Sequence, residues 1–170
     1  MSNDPIDDIQ LAELAADLGK ALVERGWTVA AAESCTGGWI AKALTDTPGS
    51  SAWFGYGVVT YSNEAKQRVL GVTPATLQRY GAVSQRCVQQ MANGVVKLSG
   101  ARVAVAVSGV AGPDGGSDDK PVGTVWFAYR WPGERVTERM RFHGDREAIR
   151  RRAVEHALRR LRKGIDHWLD

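Results

Sequence analysis

Cysteine and histidine are scarce in this chain of 170 residues, which has two of the former and three of the latter. Cys35 and Cys87 cannot build a disulfide framework, and neither forms a ligand-spaced pattern with histidine or carboxylate. No metal centre and no stapled secreted fold is therefore indicated. His143, His156 and His167 all fall late in the chain, the last two within a predicted helix, which makes a Ser-His-Asp triad unattractive and leaves His143 alone open as its base. No apolar run approaches the roughly 20 residues of a membrane span. The opening MSNDPIDDIQ is polar and acidic where a secretory signal is basic and then apolar, so a cytoplasmic location with free thiols is expected. A Walker-type ending in Gly-Lys-Ser or Gly-Lys-Thr is missing, and so is a Gly-x-Gly-x-x-Gly after a strand.

What remains is ordinary globular material, 44% apolar and 24% charged, enough to bury a core in one domain spanning residues 1–170. The net charge is +3, and its basic excess gathers late, in Arg146, Arg150, Arg151, Arg152, Arg159, Arg160 and Arg162. Arg151, Arg152, Arg159, Arg160 and Arg162 read as the solvated or subunit-facing side of an amphipathic helix, and no nucleic-acid partner is expected.

Hydrophobic periodicity orders the elements. Asn3 or Asp4 before Pro5 reads as a cap for a helix carrying Leu11, Leu14, Leu18 and Leu22, stopped at Gly26. A short strand, 27–32, runs into Glu33-Ser34-Cys35-Thr36-Gly37-Gly38 and then a helix over 39–44. A strand over 56–61 leads into a short helix from Asn63 to Gly71; Thr73-Pro74 and Ser84 cap two more. A central strand over 102–107, a glycine-rich loop to Gly123, a hairpin over 124–142 and a long helix from Asp145 complete the order. Strands separated by helices pair in parallel and a hairpin cannot, so the expected architecture is an α/β fold: a three-layer α/β/α sandwich on a mixed, mostly parallel sheet.

The chemistry left by these exclusions belongs to serine and lysine. Ser50 and Ser51 lie in a Pro-Gly-Ser-Ser turn before the second strand; Tyr61, Asn63 and Lys66 lie where that strand ends. A desolvated lysine can be neutral near pH 7 and take a serine proton, although a solvated surface lysine is the plainer reading of Lys66. Ser34 competes as nucleophile, since it follows a strand and precedes a helix, but its surroundings do not fit a Gly-x-Ser-x-Gly elbow. It reads equally as a helix cap, with Thr36, Gly37 and Gly38 offering an anion site. Cys35 reads as a small buried thiol. The turn from Ser108 through Gly109 to Gly112 could bring backbone amides close to a ligand.

Several motifs, taken together and in order, resemble a known family. They are Ala32–Gly38, Pro48–Ser51, Val59–Lys66, Gly81–Ser84, Ser108–Gly116, Lys120–Val125 and Gly144–Arg146. Over roughly residues 8–163 the chain is similar to the CinA C-terminal domain family, in particular to its stand-alone nicotinamide-nucleotide amidase members. The resemblance implies hydrolysis of the carboxamide of nicotinamide mononucleotide to nicotinate mononucleotide and ammonia. It implies Ser51 as nucleophile, Lys66 as its base and Tyr61 as their assistant. Ser34, Thr36, Gly37, Gly38, Asn63, Ser108, Gly109 and Gly112 would line the substrate site. Arg146 would bind the substrate and, at a helix start, suit its phosphate. It further implies a homodimer and no metal or organic cofactor. Two other readings stand beside it: a non-catalytic nucleotide-sensing or partner-binding module tied to competence or DNA damage, and hydrolysis of a different amide.

Overall fold

A computed structural model describes residues 5–167 and places five strands and six α-helices. The first helix, α1 (Asp8–Arg25), starts later than Pro5 suggests. Asp7 is its N-cap, with the Asp7 carboxylate accepting from the Gln10 N–H at 2.8 Å and the Gln10 side chain accepting from the Asp7 N–H at 2.9 Å. This reciprocal capping box satisfies two orphan amides at once and fixes the start; Asn3 and Asp4 lie outside the described residues. Gly26 ends the helix as expected.

β1 (Val29–Glu33) follows, then α2 (Trp39–Thr45), β2 (Phe54–Val59), α3 (Asn63–Leu70), α4 (Pro74–Tyr80) and α5 (Gln85–Ser99). Ser62, Thr73 and Ser84 cap the last three, each accepting a backbone N–H near the helix start. β3 (Val103–Gly109), β4 (Thr124–Trp131), β5 (Glu134–Arg141) and α6 (Arg146–Asp166) complete the chain. The hairpin turn is only Pro132-Gly133, because Trp131 pairs with Glu134, so both of its strands run further toward the turn than their apolar patterns suggest.

The strands lie in the order β2-β1-β3-β4-β5. β1 pairs in parallel with β2 and β3, while β3–β4 and β4–β5 are antiparallel. Parallel and antiparallel pairings are thus equal in number, and the parallel character is confined to the half where helices connect the strands.

Alternation along the strands separates two cores. Val103, Val105 and Val107 with Phe127 and Tyr129 face α1, α2 and α6, packing on Leu18, Leu22, Ile40, Leu158 and Leu161. Ala30, Ala32, Ala104, Ala106 and Ala128 face α3 and α5, packing on Leu70, Val88, Met91 and Val95. Small residues on this second face let α5 lie close to the sheet. The chain leaving β1 passes to the α2 face, and the chain leaving β2 passes to the α3 face. Their carboxyl ends therefore splay apart, which is where open α/β sheets bind ligands.

Three arginines of α6 are half-buried in ion pairs, while Arg159 keeps the exposure expected of a solvated side and Arg146 is exposed as well. Arg151 pairs with Asp8 at 2.6 Å and Glu147 at 3.2 Å, Arg160 with Glu138 at 2.6 Å, and Arg162 with Asp17 at 2.8 Å and with Asp166. His156, expected on the surface, is partly buried and shares Glu138 at 2.9 Å.

Candidate active site

Lys66 occupies the splayed end of the sheet. It sits one turn into α3 and is only 1% exposed. Its Nζ donates to the Thr60 carbonyl at 2.6 Å and the Tyr61 carbonyl at 3.1 Å, and lies 2.9 Å from Ser34 Oγ. Among the described residues no carboxylate pairs with it. Burial holds its pKa below the usual 10.5, only partly opposed by Cys87 and Cys35. With two carbonyls taking two of its hydrogens, the third tetrahedral direction of the amine faces Ser34. A neutral amine in this pose presents its lone pair to the serine hydroxyl.

Ser34 follows β1 directly, and its N–H donates to the Val107 carbonyl at 3.1 Å, continuing the parallel ladder one residue beyond the strand. Its neighbour Glu33 is fully buried. The Glu33 carboxylate accepts from the Thr36 hydroxyl at 2.6 Å and from the Ile40 and Ala41 N–H groups at 2.9 and 3.0 Å. It serves as the cap that α2 otherwise lacks, since Gly38 at the N-cap position has no side chain to offer.

Between Ser34 and α2 the backbone turns through Gly37 (φ 60°) and Gly38 (φ 95°), left-handed conformations that favour glycine. Gly37 and Trp39 donate back to Ser34 and Thr36 carbonyls. Among the described residues, the Thr36 and Gly38 N–H groups have no acceptor.

Within one chain, and among the described residues, Lys66 does not meet Ser51, the partner expected for it. Ser51 is exposed on a 3-10 turn (Ser50–Ala52) at the start of β2, whereas Lys66 works at its end. Six strand residues at ~3.3 Å each put about 20 Å between them. Closeness in sequence misleads because an extended strand separates the two. Thr36 is also placed differently from the expectation: its hydroxyl is committed to Glu33 and the residue is fully buried, so only its backbone remains for a ligand.

The other named residues come from the same end of the sheet and the segments that follow it. Ser108, 1% exposed, stands beside Ser34 in the β1–β3 register with its side chain on the same sheet face, and Gly109 ends β3 next to it. Tyr61 is 61% exposed, and its hydroxyl accepts from Arg146 at 3.2 Å. Arg146 also donates to the Gly112 carbonyl at 2.7 Å, so its fork joins the end of β2, the long loop and the start of α6. Asn63 is exposed at the first turn of α3.

Two residues passed over by the sequence reading prove structural to the site. Glu33 is one. Arg150 is the other: it donates to the Cys35 carbonyl at 3.0 Å and the Thr36 carbonyl at 3.2 Å, and stacks over Trp39. Its signal was present in the spacing, since Arg146 and Arg150 are one helical turn apart on α6. Cys35 lies beside Ser34, but burial pushes its thiol up to about 12, so it is no thiolate nucleophile.

Among the described residues no group of three or more His, Cys, Asp or Glu could hold a metal ion, and no helix is long and apolar enough to cross a membrane. A serine hydroxyl against an uncompensated buried amine, next to unbonded backbone amides, is equipment for acyl transfer.

Residues 11–165 match the CinA C-terminal domain. The chain belongs to that family. It is 56% identical over 155 residues to the nicotinamide-nucleotide amidohydrolase PncC of Escherichia coli strain K12, covering 91% of this chain and 94% of that one. It is 57% identical over 149 residues to the protein of the same name from Pseudomonas putida, covering 87% and 92%. Among solved structures, a CinA superfamily protein of Klebsiella pneumoniae superposes with a TM-score of 0.90 at 47% identity, covering 93% of this chain and 99% of that one.

Proposed function

We propose that this member of the CinA C-terminal domain family is a nicotinamide-nucleotide amidohydrolase that converts nicotinamide mononucleotide to nicotinate mononucleotide and ammonia, with Ser34 as nucleophile and Lys66 as its base. The substrate class rests on the names of relatives more than half identical over nearly the whole chain. The assignment of roles rests on one observation, the 2.9 Å contact between the buried Lys66 Nζ and Ser34 Oγ, with no carboxylate among the contacts of Lys66 in the described residues.

Neutral Lys66 accepts the Ser34 proton as Oγ attacks the carboxamide carbon. The carbonyl oxygen becomes an oxyanion, for which the Thr36 and Gly38 N–H groups, without acceptors among the described residues, would be the donors, helped by the Tyr61 hydroxyl. When the tetrahedral species collapses, the Lys66 ammonium returns its proton to the departing nitrogen and ammonia leaves. A water then loses a proton to Lys66, attacks the Ser34 ester, and releases the carboxylate as Oγ regains the proton. The balance is one amide and one water to one carboxylic acid and one ammonia. In this reading Ser108 would hydrogen-bond the group seated at Ser34, Asn63, Gly109 and Gly112 would contact the substrate, and Arg146 would act through its contacts with Tyr61 and Gly112. The protein acts as a cytoplasmic homodimer in this reading, without a cofactor.

Ammonia release from nicotinamide mononucleotide decides the assignment. Ser34→Ala and Lys66→Ala each lower kcat by at least about 10³-fold, whereas Ser51→Ala stays within about twofold of the parent. Full activity in Ser34→Ala, or its loss in Ser51→Ala alone, overturns it. Tight binding of the nucleotide by the parent without turnover would instead favour a sensing module.

A further inference from the structure

The strand registers extend the Ser34 site into a row. Ser34 adjoins Ser108 across β1–β3, Ser108 is paired with Trp126 on β4, and Trp126 is paired with Arg139 on β5. Residues paired in register share a sheet face. Here it is the α5 face, as Ala106 and Ala128 in the core beneath α5 and the Gln85–Thr137 hydrogen bond of 2.8 Å confirm. Three strand spacings of ~4.8 Å put Arg139 about 14 Å from Ser34, backbone to backbone.

At the far end of the row lies a cleft of about 430 Å³, walled by Trp126, Tyr80, Ser84, Arg86, Lys120 and Arg139 together with Asp119. The N-terminus of α5 opens into its wall through Ser84 and Gln85. Three cations from three different segments converge here, against the single carboxylate of Asp119. Among the described residues none of them is in an ion pair: Lys120 donates to the Tyr80 carbonyl at 2.6 Å, Arg139 to the Asp119 carbonyl at 2.5 Å, and Arg86 has no hydrogen-bond partner there either. Two cations held only by neutral carbonyls and a third left free amount to uncompensated positive charge around a cavity, beside a helix N-terminus. That combination suits a phosphate.

Arg146, which the sequence offers for the phosphate, is differently employed. It reaches over from α6, on the opposite face, and its fork is taken up by the Gly112 carbonyl and the Tyr61 hydroxyl.

Resting on the amidase reading, we propose that the cleft formed by Lys120, Arg139 and Arg86 is the phosphate subsite. The nucleotide then spans the distance from Ser34 to the cleft, with its carboxamide at Ser34 and its phosphate between Lys120 and Arg139, beside Trp126. The chemistry recognised is a phosphomonoester on a pyridine riboside, and the subsite makes the enzyme prefer the nucleotide to the phosphate-free riboside or the free base.

Steady-state kinetics on nicotinamide mononucleotide and nicotinamide riboside test this, together with calorimetric titration of nicotinate mononucleotide into the full-length protein. Lys120→Met and Arg139→Gln each raise KM for the nucleotide about 10- to 100-fold, the loss of one charge-assisted hydrogen bond, with a much smaller change in kcat. Their riboside kinetics match the parent's, and nucleotide affinity in the titration falls by the same factor as KM rises. Arg139→Lys recovers part of the affinity. Lys120 and Arg139 also tether the loop, so Arg86→Gln serves as the variant that changes charge alone; it raises KM for the nucleotide only. Equal losses on nucleotide and riboside overturn the subsite, as does a preference for phosphate that disappears in Arg146→Gln but survives in all three cleft variants. If the parent hydrolyses neither compound, the amidase reading fails. The cleft is then judged by calorimetry alone, which must still show nucleotide binding that Lys120→Met and Arg139→Gln weaken.

Discussion

Lys66 has three polar contacts, all to neutral acceptors, and this determines how it titrates. A buried ammonium without a counter-charge is disfavoured, so the folded protein binds its proton less tightly than the unfolded chain does. Between the lowered pKa and 10.5 the unfolded state carries more protons, and stability rises with pH across that window; below the lowered pKa the full cost of the buried charge is present. The difference in melting temperature between the parent and Lys66→Met, measured from pH 7 to pH 10, is therefore expected to shift in the parent's favour as pH rises. The same titration governs activity: kcat/KM climbs with pH to a plateau, with a midpoint below 10.5. A flat profile down to pH 5 would show that the neutral amine is not required. At this scale the residue types were legible in the sequence, and the pairing was not. Ser34 and Lys66 are 32 positions apart, and only the parallel alignment of β1 with β2 brings the end of one strand to the helix that follows the other.

Elements position these side chains through close packing. α5 approaches α3 at Gly94, where a Cβ would stand 2.1 Å from the Leu70 carbonyl oxygen, a backbone atom that cannot swing aside. Gly94→Ala gains about 1 kcal/mol of helix propensity, yet overpacking of this kind costs about 1–3 kcal/mol or more. The expected outcome is a net loss of stability by urea titration. A fall in kcat should accompany it, because α3 carries Lys66. An unchanged or raised midpoint would mean that the two helices separate freely. Amphipathic stripes and caps made nearly every element legible: Ser62, Thr73 and Ser84 cap the helices that the sequence assigns them. Boundaries were less so. Pro5 pointed to an early start for α1, whereas the Asp7–Gln10 capping box sets it, since reciprocal side-chain bonds outweigh a favourable proline.

Over the whole molecule, a positive net charge does not amount to a polyanion surface. Arg151, Arg160 and Arg162 clasp carboxylates of α1, β5 and α6 itself, so much of the basic excess is spent inside the fold. Sedimentation velocity at physiological salt should show the 18.4 kDa chain as a dimer whose mass is unaltered by duplex DNA. A monomer, or a complex that grows with added DNA, would contradict the corresponding part of the reading. The sequence by itself determined the order of elements, the α/β class and the family, because these follow from local periodicity, capping and contiguous motifs. Only the tertiary structure decided that within one chain Lys66 meets Ser34, that Glu33 caps α2 and Arg150 braces the turn, and that a row of paired residues leads from Ser34 to a basic cleft. Each of these depends on strand order and register. Register is set by burial on both faces of the sheet at once, and no single stretch of the chain encodes it.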